Sequence, residues 1–210
     1  MTLAPSIEVS LTGRELLSHP FYRRWEAGEL RDGELADYAS QYQHFERQLP
    51  CTLAAIVASS GPGAVRNAIR ANLDDELGTP CPHVELLDTF LDAVGATSAD
   101  ATPATAALVS LYLTAPDRSV AFALGVVAAY EIQSAEIARS KAEGLRAFYG
   151  LTDQGTTFWD VHAALETGHA EWVLDAADSV SADELLAGVA ASRDAWWAFL
   201  DDREAAATLA

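Results

Sequence analysis

The chain has 210 residues, with 13 Lys plus Arg against 31 Asp plus Glu, and a formal net charge of −18. Half of its residues are hydrophobic, ample to fill the core of a single domain, which argues against intrinsic disorder. So acidic a surface repels phosphates and anionic lipid headgroups, which excludes nucleic acid and the membrane surface as partners.

The first ten residues show no basic region followed by an apolar run, so no secretory leader is legible; they are expected as a loose end of a cytoplasmic protein. From there apolar residues recur at helical spacing, with almost no period-two alternation, and the fold class is all-α. The spacing predicts helices over residues 12–27 (bent or split near Pro20), 32–49, 51–59, 63–77 and 83–94, then 103–114, 119–149, 157–179 and 182–207. Ser60-Gly61-Pro62-Gly63 reads as a loop and Gly78-Thr79-Pro80-Cys81-Pro82 as a rigid connector, while Thr102 caps a helix that opens on Pro103. No linker is long enough to divide the chain, so residues 1–210 form one domain, with 204–210 expected to fray. The longest apolar tract, 120–130, is too short to span a bilayer. Cys51 and Cys81 have no CxxC spacing and read as buried thiols.

The chemistry concentrates in three places. His162, Glu166 and His169 form an H-x-x-x-E-x-x-H pattern whose offsets fall within an arc of about 60°, so they share one helix face with Phe158, Leu165 and Val173. Two imidazoles and a carboxylate on an apolar face are costly to bury unless a divalent metal compensates them; the alternative is a solvated amphipathic helix. Glu131 lies on a stripe formed by Leu124, Val127, Ala128 and Ala135, where its alternative to metal ligation is a pair with one arginine. Glu76 closes one helix and His83 opens the next across the Pro-containing connector; an acidic, solvated helix end at Asp74-Asp75-Glu76 is the competing reading. Three Glu and three His on several helices suit two non-haem metal ions, with carboxylates for hard cations and imidazoles for iron.

In order and spacing these residues resemble the haem-oxygenase-like diiron oxidase family, over a stretch from Leu17-Ser18-His19-Pro20-Phe21-Tyr22 to about Ser179. The resemblance implies a single-domain haem-oxygenase-like helical bundle and places the metal ligands on Glu76, His83, Glu131, His162, Glu166 and His169. Glu166 departs from the Asp that often stands there. It further implies two Fe(II) ions, or a manganese–iron pair, with dioxygen as co-substrate and an external reductant. Fold relatives without metal, the thiaminase-like and pyrroloquinoline-quinone-synthase-like proteins, are not expected to keep all six residues. Haem oxygenase itself needs one axial His and no carboxylate cluster.

Within the family, the segment from Tyr130-Glu131-Ile132-Gln133 through Lys141 to Gly144-Leu145 is similar to the subgroup of the chlamydial death-domain-associating protein. That subgroup makes para-aminobenzoate by a self-sacrificing route, an internal Tyr becoming the ring and a Lys giving the amino group. Tyr22, Tyr38, Tyr130 and Lys141 match its positions, and Phe158 stands where it has another Tyr. The resemblance thus marks Tyr22, Tyr130 and Lys141 as catalytic. Lys141 is also the only lysine in the chain, either a surface residue paired with Glu143 or Glu136 or a position where guanidinium will not serve. Tyr22 and Tyr130 read equally as core aromatics. Two other functions stand beside this one: N-oxygenation of a small diffusible amine on the same metals, and a metal-free scaffold in which the six residues form a buried polar network. The C-terminal helix, with Trp196 and Trp197, is a candidate homodimer surface.

Overall fold

The computed structural model describes residues 2–78 and 81–209, which form ten α-helices and one short 3-10 turn, with no strand among the described residues. They are α1 (Ala4–Leu11), α2 (Pro20–Ala27), α3 (Glu34–Glu46), α4 (Leu49–Ser59), α5 (Ala64–Gly78), α6 (His83–Ala93), α7 (Pro103–Arg118), α8 (Val120–Phe148), α9 (Asp153–Ala177) and α10 (Ala182–Leu209). The turn lies at Leu16–Ser18. Helix α8 is the axis of the bundle, packed along α9 on one side and α10 on the other. Its residues from Ala121 to Glu131 are all buried, as expected of a helix that is apolar all round and enclosed by others. It is long and apolar enough to cross a membrane by composition, yet most of that stretch lies inside the protein.

Two glycines set how closely α8 and α10 approach. A Cβ on Gly125 would fall 2.0 Å from the Leu185 carbonyl oxygen, and one on Gly188 would fall 2.1 Å from that of Phe122. The obstacle in each case is backbone, so neither helix relieves it by turning a side chain. Gly188→Ala is therefore expected to cost about 2–3 kcal/mol, seen as a melting temperature lowered by about 5–10 °C. An unchanged melting temperature would mean that the two helices stand further apart.

Most expected helices appear, and the departures have local causes. The single helix expected over 12–27 is replaced by α1, a break at Gly13 in the left-handed region, the 3-10 turn, and α2. Buried His19 caps α2, its Nδ1 accepting the Phe21 N–H at 3.1 Å. The first residues, expected as a loose end, include α1, which buries Ile7 and Leu11 and packs on α10. The helix expected over 32–49 stops at Glu46, and Leu49 opens α4 with Pro50 in its first turn. Helix α7 runs past 114 to Arg118, with Pro116 inside its last turn, two residues before the helix ends. Helix α9 begins at Asp153 instead of 157 and takes in Gly155, a poor helix former whose missing side chain lets it fit closely against Ala93 of α6. At the other end α10 is helical through Leu209, with Glu204 paired to Arg24 at 3.1 Å; Ala210 lies outside the described residues. Thr79 and Pro80 of the expected rigid connector also lie outside them.

The cysteines correct the sequence reading. Cys51 is exposed and Cys81 is only half-buried, because α4 turns Leu49, Thr52, Leu53, Ile56 and Val57 inward and leaves Cys51 on its outer face.

Candidate metal centre

All six expected ligands point into the core, each at most 5% exposed: Glu76 from the end of α5, His83 from the start of α6, Glu131 from α8, and His162, Glu166 and His169 from α9. The solvated-helix reading of α9 and the acidic-end reading of Glu76 are thereby excluded. Ligand atoms of Glu76, His83 and His162 lie within 4.8 Å of one another, and so do those of Glu76, Glu166 and His169. Glu76 thus belongs to two adjoining sets, the position of a shared carboxylate. Glu131 completes the second set, its Oε2 lying 3.6 Å from His169 Nδ1 while Glu166 Oε2 lies 3.5 Å from that same nitrogen. No arginine pairs with Glu131 among the described residues; its Oε1 accepts from Asn72 Nδ2 at 2.9 Å.

Surrounding groups fix the orientation of these side chains. His162 Nδ1 lies 2.7 Å from the Phe158 carbonyl oxygen, an acceptor, so Nδ1 carries the proton and Nε2 faces the cluster. His169 Nε2 lies 3.2 Å from Asp75 Oδ2, which leaves its Nδ1 for Glu131 and Glu166. Ser134 donates to Glu166 Oε2 at 2.6 Å. The His83 and His162 rings sit 4.6 Å apart, and Glu76 Oε2 is 3.1 Å from His83 Nδ1.

Protons hold this concentration of charge together in the metal-free protein. Burial opposes charging His162, but Glu46, Glu76 and Glu166 outweigh it and lift its pKa to about 10. His169 rises to about 11 in the same way, burial being outweighed by Glu131 and Glu166. Glu166 is pushed up, first by burial and then by the neighbouring Glu131 carboxylate. Burial also acts to raise Glu131, but the neighbouring Glu166 and His169 and the hydrogen bond from Asn72 hold it below the usual carboxylate range, so the two carboxyls of the Glu131–Glu166 pair are driven apart. Even so, Glu131 Oε2, His162 Nε2, His169 Nδ1 and Glu46 Oε1 are buried with no hydrogen-bond partner among the described residues. A self-sufficient polar network would satisfy such atoms, and carboxylate oxygens and imidazole nitrogens left without hydrogen bonds in the core are atoms that metal ions would take in place of protons, so the donor set fits metal ions.

Beside this cluster lies a second buried group. Lys141 is 1% exposed, which rules out the surface pairing with Glu143 or Glu136. Its Nζ donates to Tyr38 Oη at 2.6 Å and lies 3.9 Å from the ring centre of Trp159, with the Tyr22 and Tyr42 rings each at 4.9 Å. Tyr22 and Tyr38 share a hydrogen bond of 3.0 Å. Burial holds the Lys141 pKa well below that of a free amine, with only the Glu46 charge acting in the opposite sense. Tyr130 stands apart from this group, stacked on Trp196 at 4.5 Å and 3.3 Å from the Tyr42 hydroxyl. Tyr22 and Lys141 therefore meet at Tyr38, while Tyr130 reaches them only through Tyr42. Phe158 packs 4.2 Å from the His162 ring. Gly144 makes room for Trp25, whose indole N–H donates to the Lys141 carbonyl at 3.3 Å.

Sequence reasoning missed Glu46 and Tyr42. Tyr42 donates to Glu46 Oε2 at 2.9 Å, and Glu46 Oε1 lies 3.5 Å from His162 Nε2, so this pair links the two groups. The signal was present: Tyr38, Tyr42, Phe45 and Glu46 recur at helical spacing on the buried face of α3, which leaves a carboxylate among aromatics. On the C-terminal helix, Trp196 is a core residue and half-buried Trp197 packs against His19 and Arg14.

An all-helical bundle with carboxylates and imidazoles converging in its core defines a candidate metalloprotein of the haem-oxygenase-like fold. Known proteins agree: residues 36–199 match the model of the family described as iron-containing redox enzymes with a haem-oxygenase-like fold, and the chain belongs to that family. It is 33% identical over 221 residues to a 4-aminobenzoate synthase of Nitrosomonas europaea, spanning 95% of this chain and 90% of that one. It is 27% identical over 205 residues to a 4-aminobenzoate synthase of Chlamydia pneumoniae, spanning 92% and 91%. Among solved structures, a TenA homologue from Pseudomonas syringae superposes with a TM-score of 0.80 at 16% identity, covering 96% of this chain and 92% of that one. At these identities the solved structures speak to the fold alone.

Proposed function

We propose that this protein is a cytoplasmic, dioxygen-dependent non-haem diiron oxidase that makes 4-aminobenzoate from its own residues, Tyr22 supplying the ring and Lys141 the amino nitrogen. The observation that carries this reading is the amine of the only lysine, buried within hydrogen-bond reach of Tyr38, which in turn bonds Tyr22, with burial holding its pKa well below that of a free amine. An uncharged amine keeps the lone pair that forming a carbon–nitrogen bond needs, whereas an ammonium has none. Glu76, His83 and His162 would hold one iron, and Glu131, Glu166 and His169 the other, with Glu76 shared between them. Bound there, iron supplies the activation of dioxygen, with an external reductant providing electrons. The chain supplies the rest. Tyr38 orients the amine, the Trp25, Trp159 and Tyr42 rings exclude water from it, and the Tyr42–Glu46 pair joins the metal side to the tyrosines. The relatives named 4-aminobenzoate synthase support the same product.

A single lysine makes the test unambiguous. Protein grown with lysine labelled at Nε with nitrogen-15 is loaded anaerobically with Fe(II), then exposed to dioxygen and a reductant. Labelled 4-aminobenzoate, together with a loss of mass from peptides containing Tyr22 and Lys141, is the expected result. An intact protein that oxidises an added amine instead would overturn the self-consuming route while keeping the oxidase.

A further inference from the structure

We propose that Glu46 is a further metal-binding residue, a fourth carboxylate that closes the cluster on its His162 side. The inference rests on the diiron reading and extends it to a helix, α3, that contributes none of the six expected ligands. Glu46 is 2% exposed and uses only one of its oxygens in the protein, Oε2 accepting from Tyr42 at 2.9 Å. The other, Oε1, has no hydrogen-bond partner among the described residues and stands 3.5 Å from His162 Nε2, which also has none. With His162 Nδ1 held by the Phe158 carbonyl, Nε2 is the ring nitrogen that faces the carboxylate oxygen. A carboxylate oxygen and an imidazole nitrogen that face each other in the core, neither of them in a hydrogen bond, are a pair of ligand atoms that one cation can join. The spacing suits one: ligands bonded to an ion at about 2.0–2.2 Å stand about 3.0–3.5 Å apart for bond angles between square and tetrahedral.

Charge leads to the same residue. Two divalent ions bring four positive charges into the core, and Glu76, Glu131 and Glu166 return only three. Glu46 makes the buried assembly neutral, and an uncompensated charge in such surroundings is expensive.

The test is anaerobic titration with Fe(II), counting bound iron per chain after equilibrium dialysis. Wild-type protein is expected to bind two ions. Glu46→Gln keeps the size of the side chain and an acceptor for Tyr42, and is expected to hold one ion as before while the other is weakened by about 100-fold or more. Tyr42→Phe leaves the carboxylate in place and is expected to retain both ions. A folded Glu46→Gln protein that binds two ions with wild-type affinity overturns the proposal and leaves the diiron reading standing. If Glu46→Gln does not fold, Glu46→Asp decides: selective weakening of one ion supports ligation, and unchanged affinity for both overturns it. Wild-type protein that binds fewer than two ions overturns the diiron reading and this inference with it.

Discussion

Lys141→Met is expected to abolish formation of 4-aminobenzoate, by at least about 1000-fold, and at the same time to stabilise the metal-free protein at pH 7. The two effects share one cause. Burial disfavours the ammonium form of an ordinary lysine at this site, and each unit by which the amine pKa is depressed costs about 1.4 kcal/mol. Methionine is unbranched and of similar length, so it fills the cage of Trp25, Trp159 and the tyrosines without a group to neutralise. It forfeits the hydrogen bond to Tyr38 and leaves that hydroxyl to Tyr22 alone. The net gain expected is about 2 kcal/mol, or a melting temperature about 4–8 °C higher.

The pH dependence separates this cause from better packing. The folded-state pKa of Lys141 is depressed, so the unfolded chain holds its proton more firmly, and the penalty shrinks as pH rises toward the ordinary amine range. The advantage of Lys141→Met should therefore be greatest at neutral pH and disappear near pH 10. A constant advantage across that range would assign it to packing. A variant less stable than wild type at pH 7 would show that the lysine is charged in its cage, which removes the basis for its role as nitrogen donor. Stability given up at one buried residue in this way is what a site under functional demand displays.

How much of this was legible in the sequence follows from the distance over which each signal acts. The α9 trio shows at fixed offsets on one helix, and Glu131 stands out because an acid on an otherwise apolar helix has few explanations. Glu76 and His83 flank a connector short enough to hold them together. Glu46 carried no such local mark. It is one of several carboxylates on or beside α3, and its role depends on packing against α9, more than 100 positions away in the chain, which no period reveals. Asp75 had been read with the solvated acidic helix end, yet it lies against His169. Errors at helix ends were of another kind: Pro50 and Gly155 broke or opened helices where apolar spacing ran on or fell short. Cys51 failed because composition predicts where a residue type usually sits, while the register of α4 decides where this one does.

Metal loading is expected to depend steeply on pH, over a window well above that of free imidazole. The sequence alone places the competition between protons and metal near the ordinary histidine pKa of about 6.5. The surrounding carboxylates move it, lifting His162 to about 10 and His169 to about 11, while burial and Glu131 raise Glu166 to about 8. These raised groups stabilise the metal-free fold in full below their unfolded values, and that contribution is lost as pH rises through their folded values. Glu131 is depressed, so its contribution is present above pH 4.5 and is lost as pH falls toward 2. At pH 7 two incoming ions must therefore displace the excess protons of His162 and His169 and the proton kept by Glu166, about three in all. Calorimetric titration with Mn(II) in buffers of differing ionisation enthalpy should return that number directly. The combined affinity for the two ions should rise by about tenfold per displaced proton per pH unit between pH 6 and 7.5. An affinity flat across this range, with no proton release, would show that the ions bind elsewhere and that the buried cluster is held by its protons alone.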